Sequence, residues 1–221
     1  MNNRVHIPLN ANPEQTRRLA DLQRAFAEVC NTLAPMVRQT RCWNRVALHH
    51  MAYKGLRQKY PGLGSQLICN AIYSVSRSSR DIYQHPSSPF NLGRLGDKPL
   101  PLLHFLPTAP VYFDRHTLSI KNGQVSMFTL DGRLKFELPL DPEDERRFRE
   151  EKLREIVLTS VRGAYALTFT FADADSETTV SPAVTNDGLV RTHELPDYLV
   201  ITSDDMPPSL PDRADHSVNA R

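Results

Sequence analysis

Between residues 84 and 101 the hydrophobic period of the chain changes, and this change governs what it can fold into. Before it, apolar residues recur every three or four positions, which places them on one face of a helix. After it they alternate, as in a half-buried strand. The intervening stretch is rich in Pro, Ser and Gly (His85-Pro86-Ser87-Ser88-Pro89, then Gly93 and Gly96) and reads as a linker over 84–101.

The helical part begins with a clear start signal. Asn12 suits an N-cap, Pro13 the first helical position and Gln15 the reciprocal capping position. Leu19, Leu22, Phe26, Val29, Leu33 and Met36 then form one apolar stripe, which Pro35 is expected to kink or end. A second stripe, Val46, His49, Tyr53, Leu56 and Tyr60, stops at Pro61-Gly62. A third starts near Ser65 with Ile68, Ile72, Val75 and Ile82. Such helices cannot bury their faces singly, so a three-helix bundle is expected over 11–83.

In the alternating part, strands are expected at 102–106, 111–113, 117–120, 124–130, 133–140, 155–161 and 164–172. Asn122-Gly123, Asp131-Gly132 and Arg162-Gly163 mark hairpins between them. Asp141-Pro142-Glu143 opens a short charged helix. Arg4 to Leu9 also alternates, with Pro8 suited to a sheet edge. The expected fold is therefore α+β: a small antiparallel β-barrel from 1–10 and 102–172, with the bundle inserted. Residues 173–221 are acidic and Pro-rich and read as a mostly disordered tail, interrupted by a stray strand at Tyr198–Ile201.

Charge follows the same division. Residues 1–140 carry 18 Lys/Arg against 8 Asp/Glu, 141–172 carry 6 against 7, and 173–221 carry 3 against 10. The overall +2 thus hides a basic body and an acidic tail. A polyanion partner fits that asymmetry, as does an ordinary basic surface. The residues that would meet phosphates are Arg17, Arg18 and Arg24 off the first apolar stripe, Lys54, Arg57 and Lys59 near the end of the second helix, and Arg77 and Arg80 closing the third. Arg133 and Lys135 alternate with Leu134 and Phe136 and face away from the interior. Taken singly, each also reads as a solvated charge. Trp43, Tyr53, Tyr60 and Tyr73 would stack bases or, more commonly, fill the core.

Catalytic signatures are missing from the sequence. No nucleophile elbow, phosphate loop or dinucleotide fingerprint occurs, and adjacent His49 and His50 point about 100° apart on a helix. Cys30, Cys42 and Cys69 form no C-x-x-C pair and read as buried free thiols. No catalytic residue, metal ligand or cofactor is expected, and Asp204-Asp205 reads as solvated acid. No apolar run reaches the roughly 18 residues of a membrane span, and the start lacks a signal core, so a cytoplasmic location is expected.

The order of segments resembles TnpB, the RNA-guided nuclease of insertion-sequence transposons, related to type V CRISPR effectors. The matching pieces are Pro13-Glu14-Gln15 with Leu19, Phe26 and Asn31, then Tyr53 to Leu67, Ala71-Ile72 and Val75 to Ser78. Further matches are Val111 to Asp114, Thr117 to Ile120, Gly123 to Ser126, Gly132 to Pro139, Glu155 to Leu158 and Ala164 to Phe169. The similarity spans about residues 4–172. It implies a wedge-type barrel with an inserted recognition bundle, both holding guide RNA and its heteroduplex with DNA. Where that family continues into the RuvC strand glycine–isoleucine–aspartate–leucine–glycine, this chain has Ser181 to Gly188. The implied function is non-catalytic binding of structured or guide RNA and DNA, with a separate RuvC-type nuclease subunit as a possible partner. A truncated transposase-like remnant and a protein-interaction subunit are the alternatives.

Overall fold

The computed structural model describes residues 3–172 and 195–202. The chain is α+β: one strand and a run of helices precede a set of antiparallel strands. The order is β1 (Arg4–Leu9), α1 (Pro13–Thr40), α2 (Arg45–Lys59), α3 (Ser65–Gln84) and the single turn α4 (Leu92–Leu95). There follow β2 (Leu102–Phe105), β3 (Val111–Phe113), β4 (Leu118–Lys121), β5 (Gln124–Thr129) and β6 (Gly132–Glu137). The chain continues with α5 (Pro142–Glu150), β7 (Leu153–Val161), β8 (Ala164–Phe171) and β9 (Leu199–Thr202).

The first helix starts as its sequence dictates. The Asn12 side chain accepts from the Gln15 N–H at 2.9 Å, and the Gln15 side chain accepts from the Asn12 N–H at 3.0 Å. Pro35 neither ends nor interrupts α1 as assigned; the helix runs on to Thr40 and stops at Arg41, whose φ is 50°. Packing holds the last turns together, since Leu33, Ala34 and Val37 are buried and Arg38 donates to the Leu100 carbonyl at 2.8 Å. In α2 the buried stripe is Leu48, Ala52 and Leu56, not Val46, His49 and Tyr53. Val46 is 64% exposed, and the His49 ring stacks on Tyr53 beside the buried face. The α3 stripe is buried as read, with Ile68, Ile72, Val75 and Ile82 all inside.

The strands form three hydrogen-bonded sheets, in the orders β1-β8-β7-β3, β4-β5-β6 and β2-β9. The described strands do not close into the expected barrel. On the outer edge of β6, Gln15 at the start of α1 donates to the Lys135 carbonyl at 3.3 Å. Pro8 lies on β1, an edge strand of its sheet, where a missing N–H is tolerated. Asn122-Gly123 and Arg162-Gly163 form two-residue loops with positive φ at both positions, as a type I′ turn requires. The third hairpin turns one residue earlier than expected: Leu130 and Asp131 precede Gly132, which takes φ 88°.

Helices and sheets share one continuous core. Phe26, Leu33, Ile72, Phe105, Leu158, Leu167 and Phe169 all belong to it. Asn31 on α1 clamps β2, donating to the Phe105 carbonyl at 2.9 Å and accepting from its N–H at 2.7 Å. The apolar segment in the acidic region is β9, paired antiparallel with β2, with Leu199 buried. The disorder expected of 173–221 otherwise falls on residues outside those described. Of the three thiols, only Cys30 is fully buried; Cys42 and Cys69 are half-buried. Among the described residues no helix is long and apolar enough to cross a membrane.

Candidate nucleic-acid interface

The ten basic residues singled out from the sequence have different fates. Arg18 is a latch: its guanidinium donates to the Thr129 hydroxyl at 2.9 Å and the Asp131 carbonyl at 2.8 Å, tying α1 to the β5–β6 hairpin. Arg57 donates to the Leu63 carbonyl and fixes the turn between α2 and α3. Both are occupied by the fold and are not free to meet phosphates. Arg17 and Arg24 share the Asp21 carboxylate at 3.3 and 3.0 Å while remaining largely exposed. Lys59 donates to the Thr32 hydroxyl at 3.2 Å and lies over the Tyr60 ring. The side chains of Lys54, Arg80 and Lys135 are exposed and make no hydrogen bond or ion pair among the described residues.

Arg77 and Arg80 open into a groove of about 490 Å³ that the sequence did not reveal. Three further arginines line it: Arg4 from β1, Arg45 from the first turn of α2 and Arg154 from β7. Sheet register explains part of this convergence. Arg4 lies opposite Thr170 on β8, and Thr170 lies opposite Glu155 on β7, so the three share one row across three strands. The last turns of α3 supply the opposite wall. The carboxylates of Asp81 and Glu155 also line the groove, leaving an excess of three positive charges.

Tyr73 organises the inner part of the groove. Its hydroxyl donates to Glu155 at 2.9 Å, and Arg77 donates to that hydroxyl at 3.2 Å and to Glu155 itself. The Arg45 guanidinium sits over the Tyr73 ring, 5.3 Å from its centre. Burial first, then the Glu155 charge, pushes the Tyr73 hydroxyl above its ordinary value. Burial works against the charge of Arg77, but Tyr112, Glu155 and Tyr73 outweigh it and hold the guanidinium charged.

A second basic surface is the outer face of the β4–β5–β6 sheet, where Arg133 and Lys135 stand exposed beside buried Leu134 and Phe136. Arg133 donates to the Ser126 carbonyl at 3.1 Å and lies over the Phe128 ring, 4.0 Å from its centre. Of the aromatics considered for stacking, Trp43 is buried against Tyr83. Tyr60 is tied through its hydroxyl to Thr32 at 2.6 Å.

The residues missed by sequence reasoning are Arg4, Arg45 and Arg154. No spacing rule joins them to Arg77 and Arg80; they meet because α2 packs on α3 and because Tyr73 and Arg77 on α3 bind Glu155 on β7, next to Arg154. Among the described residues no three His, Cys, Asp or Glu side chains gather as metal ligands would. Asp187, Asp204 and Asp205 lie outside the described residues. No protein-family model matches this chain, and no curated protein matches it.

Proposed function

We propose that the protein binds nucleic acid through the arginine groove and does not itself cut it. The observation that carries this reading is the convergence of five guanidiniums from β1, α2, α3 and β7 on one surface. Exposed arginines with fixed spacing neutralise successive phosphates and release their counterions, the main source of affinity for nucleic acid. An ordinary solvated surface disperses like charges, because clustering them costs electrostatic self-repulsion.

The resemblance to the TnpB wedge and recognition region narrows the partner to a structured guide RNA, its heteroduplex with DNA, or both, in the cytoplasm. The same resemblance supports a non-catalytic role, since Ser181 to Gly188 stands where that family begins its RuvC strand. Cutting would then fall to a separate RuvC-type subunit. Recovering the protein from its native host after crosslinking and sequencing the attached RNA tests the reading. The expected result is one structured RNA species enriched well above ribosomal and transfer RNA; recovery of background RNA in proportion to its abundance would count against it.

A further inference from the structure

Phe128 is 40% exposed, whereas every other Phe and Tyr on the described strands is buried. It sits on β5, the central strand of the β4–β5–β6 sheet, directly opposite Arg133 on β6. The same face carries Lys135 opposite Ser126, and Ser126 opposite Ser119. Lys121 and Glu137 are exposed on it as well, each opposite Gln124. Phe128 also lines a cavity of about 180 Å³, walled by His116, Thr117 and the first turn of α3.

We propose that this face is a stacking platform for an unpaired nucleotide, with Phe128 as the residue that contacts the base. The inference rests on the nucleic-acid reading but uses a different surface from the arginine groove. An aromatic ring at the centre of a sheet offers a flat apolar face to any base, which is why such contacts tolerate sequence. The Arg133 guanidinium lies over the ring at 4.0 Å from its centre, so an incoming base takes its place on the ring and the displaced guanidinium stacks on the base or meets its phosphate. Lys135 stands one row from the ring on β6, opposite Ser126, and Lys121 lies further along the same face on β4, opposite Gln124, where a backbone passing over the sheet would place successive phosphates. Ser119 and Ser126 add hydroxyl donors between them. A base paired within a duplex keeps its faces stacked on its neighbours, so the platform selects single strands and unpaired loops.

The test measures binding of the full chain to a single-stranded RNA and to the same sequence as a duplex, across a salt series. It compares wild type, Phe128→Ala and Phe128→Tyr. Phe128→Ala is expected to weaken single-strand binding about tenfold, the scale of one lost base–aromatic stack. Duplex binding should change little, the salt slope should be unaltered because no phosphate contact is removed, and Phe128→Tyr should restore wild-type affinity. Unchanged single-strand binding by Phe128→Ala, an equal loss on the duplex, or failure of Phe128→Tyr to rescue overturns the platform. If wild type binds neither form, the nucleic-acid reading itself falls and the platform with it; duplex binding by wild type with no Phe128 effect removes the platform alone.

Discussion

Arg77 on α3 donates to the Glu155 carboxylate on β7, joining residues 78 positions apart and closing the inner end of the arginine groove. The pair has two opposed roles. It ties a helix to a sheet, and it spends one carboxylate on a surface otherwise dominated by guanidiniums. Glu155 is the more sheltered partner, its side chain 19% exposed against 41% for Arg77.

Glu155→Gln should therefore move stability and binding in opposite directions. Losing the charged partner of a half-buried guanidinium should cost about 1 kcal/mol, read as a lower Tm. Removing the negative charge should tighten nucleic-acid binding at low salt and steepen its salt dependence. A variant that is less stable and also binds more weakly would show that the pair shapes the groove instead of limiting its charge.

Arg18→Ala should behave as a stability variant only. Two hydrogen bonds from its guanidinium hold the β5–β6 hairpin to α1, and their loss should cost about 1–3 kcal/mol. Denaturant unfolding measures that cost, and the salt slope of binding should stay at the wild-type value.

Removing residues 173–221 should lower the Tm, because β9 goes with them. Leu199 is buried, and the Leu106 N–H donates to the Tyr198 carbonyl at 2.9 Å. The point variant Leu199→Ala isolates the strand's contribution, with an expected loss of about 2 kcal/mol for a truncated buried leucine. Thermal unfolding of both variants beside the full chain checks the order.

His104 on β2 sets a pH dependence. Burial holds its ring below the ordinary value of 6.5, so the unfolded chain takes up the proton first as the pH falls. Stability from the neutral ring is complete above about pH 6.5 and is lost as the pH drops through the lowered folded value. Tm measured from pH 7 to 5 should fall less steeply in His104→Gln than in wild type.

What the sequence made legible is the structure that local chemistry specifies. The Asn12–Gln15 capping box is a contact between residues three apart, and the Asn122-Gly123 loop needs only its own φ preferences; in the Arg162-Gly163 loop Gly163 supplies that preference while Arg162 takes φ 51° without it. In α2 the buried positions are Leu48, Ala52 and Leu56, and His49 and Tyr53 stack on each other at 4.6 Å at the margin of that face, with Tyr53 packed on the core only in part. Sheet closure was misread because alternation says which face of a strand is buried and nothing about which edge finds a partner. The basic surfaces were legible only in part. Arg80, Arg133 and Lys135 stand exposed, Arg77 is half-buried and paired with Glu155, and Arg18 and Arg57 are consumed by carbonyls that no spacing rule reveals. Arg4, Arg45 and Arg154 become neighbours only through tertiary packing.

The most direct test of the groove is the salt dependence of binding to a structured RNA by the full chain and by the triple variant Arg45→Gln/Arg80→Gln/Arg154→Gln. All three side chains are exposed groove residues outside the Arg77–Glu155 pair. The expected result is weaker binding, with the slope of log affinity against log salt shallower by about two to three, and an unchanged Tm. Equal affinity and equal slope for the two proteins would contradict the account.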